Sequence, residues 1–248
     1  MKTYFLLLLV LLLTACGGGN AVAPVGSYGG YNKSKPSPAK VSSTKPPSVY
    51  KVRKGDTLYS ISWRYGLDYK KVAKINRIRS PYNIYIGQKL YFKSAKIKST
   101  ATKTKKTTSK KTVKKAAIKT SYSNKALVWR WPTKGKVIST YSKSATGRKG
   151  IDITGKSGQT VQAAAAGKVV YSGNGLSRYG NLLIIKHNDV YLSAYAHNKK
   201  LLVKEGQSVK AGQKIATLGR SGTQREQLHF EIRRNGKPID PMRFLPKQ

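Results

Sequence analysis

Near the C-terminus, Gln227-Leu228-His229-Phe230-Glu231-Ile232 alternates polar and apolar side chains and stops at the turn pair Asn235-Gly236. That is the pattern of a β-strand. Gln227 and His229 then project from one face and Leu228 and Phe230 from the other. Two imidazoles at this spacing would serve one metal centre. Here one of the two positions holds a glutamine, which hydrogen-bonds but does not titrate near neutral pH. The chain has 3 histidines. Of the others, His197 lies upstream, and His187 closes a strand before the Asn188-Asp189 turn and reads as a surface or structural residue. Glu226 and Glu231 are near in sequence, with Glu231 sharing the face of Gln227 and His229 only at the far end of the strand. Cys16 is the only cysteine, so no disulfide can form within the chain.

These residues must be placed by some fold, and 248 residues leave room for one large or two modest domains. Lys and Arg number 49 against 8 Asp and Glu, a formal net charge of +41. Folding does not require such an excess; it concerns partners and solubility. A nucleic-acid binder and a cell-envelope protein resting on anionic polymers both fit it, and the N-terminus decides between them. Met1-Lys2-Thr3 precedes an apolar run from Tyr4 to Leu13 and then Thr14-Ala15-Cys16-Gly17. A positive start, a short apolar core and a small-residue cleavage site make a secretory signal rather than a spanning helix. Leu13-Thr14-Ala15-Cys16 resembles a bacterial lipobox. The resemblance implies loss of the signal peptide, residues 1–15, and diacylation of the Cys16 thiol. Several acyl chains anchor stably where a single one is marginal. Gly17 stands where an Asp would imply inner-membrane retention, so the same resemblance favours an outer-membrane lipoprotein facing the periplasm. Export removes nucleic acid as a physiological partner.

From residue 16 to 48 the chain is rich in Gly, Pro, Ser and Lys without apolar periodicity and reads as a disordered tether. Residues 49–93 form a small unit in the order βααβ. Tyr50-Lys51-Val52 is a strand; Asp56 or Thr57 caps a helix whose apolar face is Leu58, Ile61 and Tyr65; a second helix carries Val72, Ala73 and Ile75; and Ile84 to Leu90 returns as turn and strand. Tyr50 to Leu58, Ile75-Asn76 and Ile86-Gly87-Gln88-Lys89-Leu90 closely resemble a LysM module, a family that binds the glycan of peptidoglycan. The resemblance puts Gly55, Asp56, Thr57 and Leu58 on one wall of a glycan groove and Pro81, Tyr82, Asn83 and Ile84 on the other. Gly55, Asp56 and Leu58 also build the turn and core. Residues 94–126 are almost entirely Lys, Thr, Ser and Ala with no acidic residue, a self-repelling linker that cannot build a core. From 127 to 246, short strand-like segments recur with Gly punctuation, which indicates an all-β barrel or sandwich. Trp129 and Trp131 flank its entrance and are expected to pack.

This C-terminal region resembles the lysostaphin/LytM zinc metallopeptidases in several blocks. They are Gly150-Ile151-Asp152-Ile153, Ala163 to Val170, Arg178 to Asn181, Tyr195-Ala196-His197, Val209 to Ile215 and Leu228 to Arg233. Active members of that family hold zinc with His and Asp of a His-x-x-x-Asp motif and the second His of a His-x-His strand. A Tyr-x-His histidine and the first His of the strand motif assist the attacking water. Mapped by motif, Asp152 and His229 keep two ligand positions and His197 keeps one assisting position. Arg148 replaces the third ligand and Gln227 the other assisting His. Arginine has no lone pair to offer, its charge would repel a metal, and it could instead pair with Asp152 and close the site.

The chain is therefore expected to be multi-domain: a small α+β LysM module plus an all-β lysostaphin-like barrel or sandwich, joined by disordered basic linkers. The whole arrangement resembles the NlpD/YgeR class of murein hydrolase activators. That resemblance implies no enzyme activity and no cofactor. It implies peptidoglycan binding and activation of a periplasmic N-acetylmuramoyl-L-alanine amidase for daughter-cell separation. Arg148, Asp152, His197, Gln227 and His229 would line the amidase-binding groove, with Arg178 and Tyr179 on its rim. Arg220, Arg225 and Glu226 are weaker candidates. An active zinc endopeptidase and a purely structural envelope tether are the competing readings.

Overall fold

The structure, a computed structural model, describes residues 45–93, 127–144 and 148–247. The signal peptide, Cys16, most of the tether and the 94–126 linker lie outside the described residues.

The first folded segment runs β1 (Val49–Lys51), α1 (Leu58–Arg64), α2 (Tyr69–Ile75) and β2 (Lys89–Tyr91). The strands pair antiparallel with Tyr50 opposite Leu90. Thr57 starts α1. Its Oγ1 accepts from the Ser60 amide and the Ser60 hydroxyl accepts from the Thr57 amide, both at 3.0 Å, a capping box with Ser in place of Glu. Asp68 caps α2 by accepting from the Lys70 amide at 2.9 Å. Asp68→Ala should lower stability by about 1 kcal/mol, read as a lower urea midpoint at unchanged slope. An unchanged midpoint would show that the cap contributes nothing. Leu58, Ile61, Val72, Ala73 and Leu90 fill the core between helices and hairpin. Asn76 ends α2 and joins the sheet, its side chain donating to the Tyr91 carbonyl and accepting from the Tyr91 amide, each at 2.8 Å.

The second segment is almost entirely β: β3 (Val137–Ser139), β4 (Ile151–Thr154), β5 (Thr160–Gln162), β6 (Gly167–Gly173), β7 (Leu182–Lys186), β8 (Tyr191–Ala196), β9 (Asn198–Leu201), β10 (Ser208–Val209), β11 (Lys214–Leu218), β12 (Gln227–Arg234) and β13 (Lys237–Ile239). The main sheet has the order β10-β6-β7-β8-β12-β4-β3, with β13 also on β12, and a three-stranded sheet β5-β11-β9 faces it. Every pairing is antiparallel. Alternate residues of the main sheet point between the sheets, where Ile151, Ile153, Leu183, Ile185, Tyr195, Leu228, Phe230 and Ile232 meet Val161, Ile215 and Leu218. Trp129 is buried in this core and Trp131 donates to the Pro246 carbonyl at 2.9 Å, so both pack as expected. His187 is buried and structural. Its Nδ1 donates to the Ala166 carbonyl at 2.8 Å and its Nε2 lies 2.7 Å from Ser193 Oγ.

The other face of the main sheet is not open to water. Val170, Tyr171, Leu182, Ile184, Leu192, Ala194 and Ala196 form a second cluster with Trp63 and Tyr69 of the helical segment, and Tyr59, Tyr82 and Tyr179 pack on it. All described residues fall within one compact unit. Sheet strands with one solvated face read as alternating polar and apolar. Leu182-Leu183-Ile184-Ile185 is instead a continuous apolar run, the pattern of a strand buried on both faces, but it does not say which residues cover it. The cover is supplied chiefly by Trp63 and Tyr69, more than a hundred positions away in sequence.

Candidate functional site

β12 lies between β4 and β8, with His229 opposite Asp152 on one side and Ala196 on the other. This register brings distant residues together. His229 Nδ1 is 2.6 Å from Asp152 Oδ1, and His229 Nε2 is 3.2 Å from Glu231 Oε1. Glu231 has no solvent exposure. It also accepts from the Tyr179 hydroxyl at 2.8 Å and from Arg233 Nε at 2.9 Å. The polar face of β12 is thus Gln227, His229, Glu231, Arg233, a period-two run that continues past the stretch singled out in the sequence. Glu231 is not remote from the site but directly bonded to His229. That alternation was the available signal for both Glu231 and Arg233.

His197 follows the end of β8 and turns into the left-handed region, φ 64°. Its amide donates to the Tyr179 carbonyl at 2.9 Å and its Nδ1 to the Ser221 carbonyl at 2.8 Å. The His197 and His229 rings are 6.0 Å apart between centroids, as are those of Tyr179 and His229. Gly180 also has positive φ, and a Cβ there would collide with the Ser221 backbone. The loop after β6 and the loop before β12 therefore close against one another only with glycine at that point.

Above this cluster opens a cavity of about 510 Å³ lined by Ile138, Ser139, Asp152, Thr223, Gln224, Arg225 and Gln227. Asp152 and Gln227 are thus both on the groove, and Arg225 lies on its wall. Ile138, Ser139, Thr223 and Gln224 were not singled out from sequence, because nothing in their types marks them. Arg148 is exposed and its Nε donates to the Thr140 carbonyl at 2.8 Å. It does not take up the pairing with Asp152 expected of it; His229 does. Arg178, Arg220 and Arg225 are exposed, and Glu226 accepts from the Ser157 amide at 2.7 Å.

Charge within the cluster follows from competition between burial and partners. Burial alone would depress the His229 imidazole, but the hydrogen bonds to Asp152 and Glu231 outweigh it and raise it to about 9. Burial disfavours an ionised Glu231, yet the charges of Arg233 and His229 hold it down at about 2. Asp152, likewise opposed by burial, is lowered by His229. Burial lowers His197, against its bond to Ser221. At neutral pH the cluster is a charged chain of Asp152, imidazolium, Glu231 and guanidinium beside a neutral His197.

In the helical segment, Gly55, Pro81 and Asn83 are exposed. Asp56 accepts from the Tyr50 hydroxyl at 2.7 Å and the Arg53 amide at 2.9 Å. Leu58 is fully buried in the core and Ile84 packs on it. Thr57 caps α1 while its hydroxyl donates to the Val170 carbonyl at 3.2 Å, and the Tyr82 ring sits 5.3 Å from that of Tyr69. Thr57 and Tyr82, both expected on the glycan walls, therefore turn toward the β domain.

Residues 50–93 match the LysM domain and residues 146–241 match Peptidase family M23. The chain is 45% identical over 243 residues to lipoprotein YgeR of Escherichia coli K12, covering 96% of this chain and 90% of that one. The NlpD/YgeR lipoproteins are the family to which this chain belongs. The lipoprotein NlpD/LppB homolog of Pseudomonas aeruginosa is also 45% identical, over 96% of this chain and 89% of its own. The murein hydrolase activator NlpD of Escherichia coli K12 is 41% identical, over 81% and 68%. The fold of this NlpD/YgeR-family chain is a LysM module with two helices beside a mostly β LytM domain. The M23 match contains Asp152, His197, Gln227 and His229 and all of the groove lining except Ile138 and Ser139, and the LysM match contains both expected glycan walls.

Proposed function

We propose that this chain is a lipid-anchored, non-catalytic activator of a periplasmic amidase. The LysM module holds peptidoglycan glycan, and the LytM groove binds the amidase and favours its open state during daughter-cell separation. Cys16 anchors the mature chain, with residues 16–48 as tether and 94–126 as linker between the folded parts.

The observation that carries this reading is the donor set of the groove. A catalytic zinc site takes three protein ligands and a water. Asp152 and His229 supply two, and they are turned on each other. The third ligand position is Arg148, which cannot donate a lone pair and is held by Thr140. Gln227 can orient a group by hydrogen bonds but cannot pass a proton as a histidine does. Among the described residues no three His, Cys, Asp or Glu side chains are grouped to hold a metal. The residues present do not fit zinc, and no hydrolytic step runs through it. What they do fit is recognition: a concave polar groove with an acceptor at Asp152, a donor and acceptor at Gln227 and a basic wall at Arg225. The names of the relatives support the same reading.

Activation then needs only differential affinity. An activator that binds the open amidase ten times better than the closed one shifts that equilibrium by about 1.4 kcal/mol. Glycan binding by LysM raises the local concentration of the pair on the wall. The deciding experiment uses protein from Gly17 onward on dye-labelled sacculi, with and without amidase, together with a zinc assay. Dye release is expected only with amidase present, and above the amidase alone. Release by this chain alone, with stoichiometric zinc, would replace the proposal by a zinc endopeptidase. No stimulation of the cell's amidases would leave a structural tether.

A further inference from the structure

The polar face of β12 does not end within its own domain. Arg233 is 3% exposed although arginine is seldom buried without partners. Its Nη1 donates to the Trp63 carbonyl at 2.8 Å, and its guanidinium carbon lies 3.5 Å from the Trp63 ring centroid. Its Nη2 is 3.3 Å from the Tyr179 hydroxyl and its Nε donates to Glu231. Trp63, 3% exposed, is on α1 of the LysM module. An unbroken line therefore runs from the LysM helix backbone through Arg233 and Glu231 to His229 and Asp152 at the groove. A cation stacked on an indole in a desolvated site is held by the ring quadrupole, and the hydrogen bond to the carbonyl fixes its rotation.

We infer that the LysM module is a positioning element for the groove, with Trp63 and Arg233 fixing Glu231 and thereby the orientation of His229 toward Asp152. The rest of the interface matches this role, since it seats the module in one place. Thr57 reaches the Val170 carbonyl, Arg64 reaches the Gly175 carbonyl at 3.4 Å, and Tyr69 and Trp63 fill the apolar outer face of the sheet. At the β12–β13 turn, Gly236 leaves no room for a Cβ against the Leu67 and Asp68 backbone. The module is thus a wall of the site's support, in addition to any hold it has on glycan. The consequence for amidase recognition rests on the reading of the groove given above.

The test uses the full chain and reads His229 directly. In the wild type, both His229 ring N–H protons are hydrogen-bonded and are expected as slowly exchanging, low-field signals in a nitrogen-edited NMR spectrum. Trp63→Ala is expected to broaden or abolish them while core signals of Ile153 and Leu228 stay in place, and to weaken amidase binding about tenfold. Trp63→Phe, which keeps an aromatic face, is expected to restore the signals and most of the affinity. Gly236→Asn, tolerant of positive φ yet wedged against Leu67, is expected to act like Trp63→Ala without touching either clamp residue. Should Trp63→Ala fail to fold, Gly236→Asn decides alone. Unchanged His229 signals in folded Trp63→Ala or Gly236→Asn would overturn the inference. A wild type that shows the signals but binds no amidase would overturn the proposed function and leave the positioning role to be decided by the NMR arms.

Discussion

Glu231→Ala should lower stability by about 3–5 kcal/mol. Removing one member of a buried ion pair leaves the other charged and desolvated, and here two cations are left. Arg233 would keep only the Trp63 carbonyl and ring and the Tyr179 hydroxyl, and His229 would keep only Asp152. The loss is a large share of the 5–15 kcal/mol that a folded domain commonly has. Glu231→Leu combined with Arg233→Leu should be less harmful than Glu231→Leu alone, because Arg233 is no longer left charged and desolvated and His229 keeps Asp152 in both. Urea unfolding followed by tryptophan fluorescence, run as a double-mutant cycle, measures the coupling. Additive losses would show that Glu231 and Arg233 do not act as a pair.

The elements were legible where burial is one-sided and local. Leu228, Phe230 and Ile232 alternate with polar residues, and they do point between the sheets. Leu58, Ile61, Val72 and Ala73 carry the helical spacing of the LysM core. The strands Asn198–Leu201 and Lys237–Ile239 are short edge strands whose composition reads as loop. In the sequence, Asp152 and His229 are joined at one site only through the resemblance to the LytM blocks; no strand pattern by itself pairs them. The motifs did not disclose what Arg148 does, because its bond is to a backbone carbonyl, which no side-chain pattern encodes. Nor did they disclose that Trp63 and Arg233 meet. An arginine two residues beyond a buried glutamate looks the same whether water or another module covers it. Only the docking of α1 on the sheet distinguishes the two, and that is a tertiary fact with no local signal.

Stability should pass through a maximum near pH 6.5, with a fall of roughly 3 kcal/mol on either side assigned to a different histidine. His229 is raised from 6.5 to about 9 in the folded state: burial opposes its charge, but Asp152 and Glu231 outweigh burial. A raised folded value means a contribution fully present below pH 6.5 and lost as pH climbs through 9. His187 is lowered from 6.5 to about 4 because it is buried, only partly offset by the Ala166 carbonyl. Its contribution is present above pH 6.5 and lost as pH falls through 4. His197, lowered for the same reason, adds to the acid side. Glu231, lowered from 4.5 to about 2 against burial, chiefly by Arg233, contributes above pH 4.5 and is lost only in stronger acid. The tyrosines raised by burial, Tyr59, Tyr69 and Tyr179, give way only above pH 10 and do not affect the window. Urea midpoints taken from pH 4 to 9 should therefore rise and then fall. His229→Gln should flatten the limb between pH 6.5 and 9 and leave the acid limb as it is. His187→Asn should flatten the limb between 6.5 and 4 and leave the alkaline one. If His229→Gln kept the alkaline fall, the imidazolium between Asp152 and Glu231 would not be its source, and the charged chain along β12 would need another cation.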